Sequence, residues 1–188
     1  MKILGISGSP VKEGNNEQAI DYALKKAKKL GFKTEKITLA KKDLKGCIAC
    51  NQCKEKKGTC SIKDVMWDIR PKLIQADAII VSSPVYFGTI SSQIKALFDR
   101  TLPLRRNNFQ LKNKIGAAIA IGRSRNGGQE LTIQAIHSFM HIHGMIVVGD
   151  NNHFGGTIAA PFKEDDFGKQ TVDDTVEKVC NLLKKIKK

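Results

Sequence analysis

The stretch ADAIIVSSPVYFG, residues 76–88, sets the architecture of this chain. Ala78 to Val81 form an unbroken apolar run without polar alternation, closed by Ser82, Ser83 and Pro84. Such a run predicts a strand over 78–82 that is buried on both faces, as strands of parallel sheets are. The loop from Ser83 to Gly88 carries hydroxyls, proline and glycine, and SSQIKALFDR after it reads as a helix.

The same strand–loop–helix unit recurs on either side. KILGI, residues 2–6, precedes the polar loop SGSPVKEGNN and a helix starting near Asn15 or Asn16. Ile20, Ala23, Leu24, Ala27 and Leu30 give that helix one apolar face, and Gly31 stops it. Glu17 and Asp21 near its start and lysines near its end suit the helix dipole. A strand follows at 34–39. A second helix at 63–74 carries Val65, Met66, Ile69 and Leu73 on one side, and Pro71 is expected to kink or split it. KIGAAIAIG, 114–122, is another buried strand, followed by the loop RSRNGGQ and a helix to about 142. MIVVG, 145–149, is the fifth strand. A last helix is expected from 172, with Thr171 as N-cap and Val172, Val176, Val179, Leu183 and Ile186 inward. Five strands alternating with helices predict an α/β fold, one domain over 1–188, with an open five-stranded parallel sheet covered by helices on both faces.

Composition narrows the class. With 188 residues, 41% apolar and 27% charged, the chain suits one ordinary globular core. No apolar run approaches the roughly 18 residues of a membrane helix, and MKILGISGSP does not read as a signal peptide. A cytoplasmic protein with no membrane association is therefore expected, and its thiols should be reduced. The formal net charge of +14 invites a nucleic-acid reading. The lysines, however, spread along helix faces and the KKIKK tail without interleaved aromatics, so nucleic acid is not the expected partner. A basic surface also suits an acidic electron-transfer partner.

Ligands of open parallel sheets bind at the carboxyl ends of the strands. Three loops are expected there. SGSPVKEGNN, 7–16, places hydroxyls, side-chain amides and backbone N–H groups before a helix N-terminus, where a phosphate binds. It is neither a Walker A loop nor GxGxxG. SSPVYFG offers Tyr86 and Phe87 to a flat ring. GRSRNGGQ offers Gly122, Asn126 and Gly127 for close backbone approach, with Arg123 and Arg125 to balance an anion. A phosphate nest with two ring-flanking loops describes an FMN site in a flavodoxin-like fold.

One connection is too long for this rhythm. Residues 40–62, after the second strand, include GCIACNQCKEKKGTC, with Cys47, Cys50, Cys53 and Cys60. Two-residue spacers let three thiolates curl around one centre, and Cys60 returns from the far side of a short loop. The run approaches the ferredoxin pattern, so all four could bind one 4Fe–4S cluster. Tetrahedral zinc competes, although its sites usually pair two Cys-x2-Cys knuckles; free thiols are the third option. Cys180 sits beside Val179 and Leu183 on the last helix and reads as an inert core thiol. His137, His141 and His143 lack cysteine or acidic partners nearby and read as partly exposed helix histidines.

GISGSP, ADAIIVSSPVYFGTISSQIKALFDR and GGQE together resemble the NAD(P)H-dependent FMN reductase group of flavodoxin-like proteins. With Cys-x2-Cys-x2-Cys-x6-Cys, the chain resembles the iron–sulfur flavoproteins of anaerobic archaea and bacteria. The resemblance implies that Ser7, Ser9, Asn15 and Asn16, in the loop that also holds Pro10, bind the FMN phosphate. Pro84, Val85, Tyr86, Phe87 and Gly88 would border the ribityl chain and isoalloxazine. Val11 stands where relatives often carry arginine, leaving Lys12 to substitute, and Asp64 is followed by Val65 where relatives tend to pair two acids. The implied activity is electron transfer between a ferredoxin-like one-electron donor, a 4Fe–4S cluster in the inserted loop 46–62, and FMN, in a homodimer or homotetramer. The alternatives are an NAD(P)H-dependent FMN or quinone reductase without a cluster, and a basic nucleic-acid-binding module with a zinc loop.

Overall fold

A computed structural model describes residues 1–56 and 58–186. In chain order the elements are β1 (Lys2–Ser7), α1 (Asn15–Lys29), β2 (Lys33–Thr38), α2 (Gln52–Glu55), α3 (Met66–Gln75) and β3 (Ala78–Pro84). Then come α4 (Ser92–Asp99), α5 (Leu102–Arg106), β4 (Ile115–Gly122), α6 (Gln129–Ile142), β5 (Ile146–Val148), β6 (Gly156–Ala159) and α7 (Asp166–Ile186). The strands pair in parallel in the order β2-β1-β3-β4-β5, with β6 also beside β4. This is the flavodoxin-like strand order, in the parallel sheet that the strand–helix alternation predicts.

Period-two alternation sorts the side chains of the sheet to two cores. Leu4, Ile6, Ile79 and Val81 join α3, α4, α5 and α6 on one face. Ile3, Ala78, Ile80, Ile115 and Ile119 join α1 and α7 on the other. Gly5 and Gly8 let the flanking helices approach the sheet closely. A Cβ on Gly5 would lie 2.7 Å from Ile20 Cγ2 of α1, and one on Gly8 would lie 2.0 Å from Ile94 Cγ1 of α4. Among the described residues no helix is long and apolar enough to cross a membrane.

Three details depart from the sequence reading. The fifth sheet position is split: β5 pairs with Ile115–Ala117 of β4, and β6 continues the position against Ile119–Gly122. Residues 149–155 bulge out between them. Asp150 gathers that bulge, accepting from the backbone N–H groups of Asn152 and His153 and pairing at 2.8 Å with His153 Nδ1. The last helix starts at Asp166 rather than 172, so Thr171 is not its cap. Asp165 caps it instead, its Oδ1 accepting from Gly168 N at 2.9 Å. Thr171 packs inside the helix and accepts from Thr157 N of β6 at 3.0 Å. Pro71 does not split α3. Its position is exposed, while Met66, Ile69 and Leu73 anchor the helix from within, so one missing backbone bond is tolerated.

Candidate functional site

At the carboxyl edge of the sheet, the first loop is fixed from several sides. Gly8 N donates to Ser82 O at 2.8 Å, and Gly8 O accepts from Ser91 Oγ at 2.7 Å. Ser91 also caps α4 by accepting from Ile94 N. Glu13 adopts a positive φ of 58°, with its N–H donating to Glu17 Oε2 and its carbonyl accepting from Gln18 Nε2, both at 2.9 Å. Burial works to raise the pKa of Glu17, but the Glu13 amide and Lys36 outweigh it and hold the group ionised. The loop then delivers the first-turn N–H groups of α1, which have no intrahelical acceptor. Those groups are what an anionic phosphate needs.

A cleft of about 380 Å3 opens over this turn. Ser9, Asn15, Asn16, Pro84, Val85, Tyr86 and Gly122 line it, so the three loops read from the sequence do meet. Arg123, offered as an anion partner, lines it as well, while Arg125 does not; Val11, Gly14, Ile121 and Ala160 also contribute, unforeseen except as loop neighbours. The asparagines carry structural bonds besides: Asn16 Oδ1 accepts from Ser82 Oγ at 2.6 Å, and Asn15 Oδ1 from Phe162 N at 2.9 Å. Ser7 lies buried beneath the loop with its hydroxyl unpartnered. Pro10 is outside the lining, and Lys12 is exposed, turned 3.5 Å from Glu13.

Phe87 and Gly88 form the tip of a tight turn closed by reciprocal Tyr86–Thr89 backbone bonds, both at positive φ, with Phe87 fully exposed. Asn126 and Gly127 sit in the third loop, which Gln129 braces from within. Its Nε2 donates to Ser124 O and Ile158 O, and its Oε1 accepts from Gly127 N. Gly128 packs against this turn: a Cβ there would lie 3.2 Å from Gly88 Cα and from Val85 Cγ1.

The cysteine loop between β2 and α3 forms a second site. Ala49 and Asn51 take φ of 53° and 61°, curling the backbone where the two-residue spacers lie. Cys47, Cys50, Cys53 and Cys60 all line one small cavity of about 40 Å3, closed by Leu102, Pro103, Arg100 and Arg106. Among the described residues no three Cys, His, Asp or Glu side chains yet form a metal-ligating set. The donor chemistry nevertheless fits a thiolate-bound centre. Cys50 Sγ meets Ser61 Oγ at 3.0 Å, and that bond, with the Gln52 amide, lowers its pKa. Arg106 Nη1 donates to Cys53 Sγ at 3.0 Å. Arg70 reaches Gly58 O, and the Nε–H groups of Arg70 and Arg100 are buried without acceptors, donors that the sulfurs of a thiolate-bound cluster would satisfy.

Arg100 fixes both ends of this loop. It binds Asp64 in a fork, Nη1–Oδ2 at 2.7 Å and Nη2–Oδ1 at 2.9 Å, and also donates to Lys45 O and Ile62 O. Both side chains are almost wholly buried. Burial would raise the pKa of Asp64, yet Arg100 and the Lys45 and Met66 amides hold it below the usual carboxylate range. Sequence reading noted Asp64 but missed Arg70, Arg100 and Arg106, whose partners lie far along the chain. A groove of about 1070 Å3, with the stacked rings of Phe98 and Phe139 in its lining, joins Cys47 and Ala49 to Thr89 and Ile90 by the second cleft loop.

The other candidates are core groups. Cys180 is buried, which pushes its thiol up to about 11. His143, expected to be partly exposed, is buried at the end of α6 and bonded at 2.8 Å to Thr101 Oγ1.

Comparison with known proteins places the chain in a family. The iron-sulfur flavoprotein of Methanosarcina thermophila is 53% identical over 188 residues, all of this chain and 98% of that protein. One from Methanocaldococcus jannaschii is 51% identical over 195 residues and is covered completely, as is this chain. Among solved structures, a WrbA-like flavodoxin from Agrobacterium tumefaciens shares the fold, with a TM-score of 0.72 and 17% identity over 98% of both chains. An archaeal flavodoxin shares it with a TM-score of 0.65 and 17% identity over 98% of this chain and 99% of that one. Residues 1–158 match the family described as NADPH-dependent FMN reductase. The chain therefore belongs to the NADPH-dependent FMN reductase family, among its iron–sulfur flavoproteins.

Proposed function

We propose that this protein is an electron-transfer iron–sulfur flavoprotein that takes single electrons from an acidic, ferredoxin-like donor and exchanges them with FMN by way of a 4Fe–4S cluster. Its family makes it a flavin-dependent oxidoreductase. The observation that carries the reading is that four cysteines from one loop line one cavity beside arginine N–H groups without acceptors. Cys47, Cys50, Cys53 and Cys60 would hold the cluster, which supplies one-electron chemistry, while FMN supplies one- or two-electron chemistry. The rest is the protein's own work. The first turn of α1, Ser9 and the backbone of residues 8–14 bind phosphate. Pro84, Val85, Tyr86 and Gly122 border the flavin side of the cleft, and Gln129 keeps the third loop in place. Arg100 and Asp64 hold the cysteine loop against α4 and α5. Glu17 and Asp64 stay ionised through their pairings, so neither is offered as a general acid.

The test is composition and colour. Protein purified without oxygen should contain iron, acid-labile sulfide and FMN, and its broad visible absorption should bleach on reduction. FMN with no iron would leave an NAD(P)H-dependent FMN or quinone reductase, and zinc in place of iron would sink the cluster.

A further inference from the structure

We propose that Arg106 tunes the cysteine centre: its N–H group donates to the Cys53 sulfur and makes the centre easier to reduce. This deepens the reading above and rests on the four thiolates holding a 4Fe–4S cluster.

Three guanidinium groups from separate elements converge on the cysteine loop: Arg70 of α3, Arg100 just after α4, and Arg106 of α5. They are not equivalent. Arg100 also faces Cys60, but it is neutralised by Asp64 and fastened to Lys45 O and Ile62 O, so its charge is already balanced. Arg70 is tied to Gly58 O. Arg106 has a direct sulfur contact, at 3.0 Å, and its other nitrogen lies 3.5 Å from Asn51 Oδ1. Asn51 also begins α2, which carries Cys53, so α2 and α5 are registered through this one side chain.

The physical consequence follows from charge. One electron arrives from the one-electron carrier, which loses that electron; no bond forms or breaks. The added negative charge is spread over the sulfurs, and hydrogen bonds to those sulfurs stabilise the reduced state and raise the potential. A guanidinium keeps its proton at any working pH, so the contribution does not titrate away. Leucine at 106 removes both the charge and the donor. Lysine keeps a charge on a flexible stem but loses the planar fork that reaches both Cys53 and Asn51.

The experiment is potentiometry on the full-length, cluster-loaded protein, followed by electron paramagnetic resonance of the reduced centre. Arg106→Leu should shift the reduction equilibrium at least about tenfold towards the oxidised form, equivalent to about 59 mV lower for one electron. Arg106→Lys should shift it in the same direction by less. If Arg106→Leu loses iron, the Lys variant decides: a lowered potential supports the assignment, and an unchanged one overturns it. Iron-loaded variants with the wild-type potential overturn the role of Arg106 alone. A wild-type protein without iron overturns the cluster reading and this proposal together.

Discussion

Phe87 combines a φ of 48° with a fully exposed ring, so it carries backbone strain without any burial in return. Left-handed backbone costs a non-glycine residue about 1–2 kcal/mol, and asparagine tolerates it best. Phe87→Asn should therefore stabilise the apoprotein by about 1 kcal/mol in urea unfolding. It should also weaken FMN binding if the ring borders the flavin, as the family resemblance implies. His143 makes a different prediction. Thr101 Oγ1 donates to Phe98 O, so His143 must donate its Nε2–H to Thr101, leaving the buried Nδ1 without a partner. Burial, reinforced by Arg105, lowers its pKa from 6.5 to about 4. Above pH 6.5 it is neutral folded or unfolded. Between about 6.5 and 4 the unfolded chain takes the proton first, so stability falls with falling pH by up to about 1.4 kcal/mol per unit. His143→Leu should remove its share of that slope, leaving the share of His137, which burial also lowers to about 4, while lowering stability at pH 7 through the lost Thr101 bond. A variant with the wild-type slope would show that another group titrates there.

At the level of elements, glycine and an ion pair do the positioning. An alanine at Gly8 would drive its Cβ into Ile94, at the start of α4, where the first and second cleft loops are joined through Ser91. Overpacking of this kind costs about 1–3 kcal/mol, so Gly8→Ala should lower the unfolding midpoint and FMN affinity together. The Asp64–Arg100 fork is buried, and removing one partner leaves an unpaired charge worth about 3–5 kcal/mol. Either Asp64→Ala or Arg100→Leu should be severely destabilising, and the double variant less so than their sum. Faster hydrogen exchange across 45–62 would locate the damage, and additive effects would refute the coupling. The strand runs were legible because AIIV and the GAAIAI segment are buried on both faces, which leaves a continuous apolar signature. β6 was not, because Gly156–Ala159 is only four residues long and finds its strand geometry by pairing with β4. Asp165 was missed as a cap because the helix it starts opens on polar residues. The cysteines and cleft loops announced themselves by spacing and turn chemistry. The arginines did not, because a guanidinium's partner depends on the tertiary fold.

Across the whole molecule, 32 Lys and Arg residues face 18 Asp and Glu, and several of those acids are already engaged. Glu35 holds Lys2 and Lys72, Asp173 and Glu177 hold Lys26, and Glu17 and Asp21 hold Lys36. Around the cysteine loop the imbalance is local. Along residues 41–62 and in α5, Lys41, Lys42, Lys45, Lys54, Lys56, Arg105 and Arg106 outnumber Asp43 and Glu55, while Asp64 is buried against Arg100 and Asp99 is held by Lys95. Cys47 and Cys50 are exposed within that positive field. An acidic one-electron carrier would be steered to the cysteine edge before contact, and such steering raises association rates by about 10- to 1,000-fold at low salt. The field is screened over about 10 Å at 0.1 M salt and about 3 Å at 1 M. Reduction by an acidic ferredoxin-type carrier should therefore slow steeply as salt rises. Lys54→Glu with Lys56→Glu should slow it at low salt and hardly matter at 1 M. Reduction by a small molecule should not respond to the two substitutions at all. Stopped-flow traces at four ionic strengths separate these outcomes, and a rate indifferent to both salt and charge reversal would mean that the donor docks elsewhere.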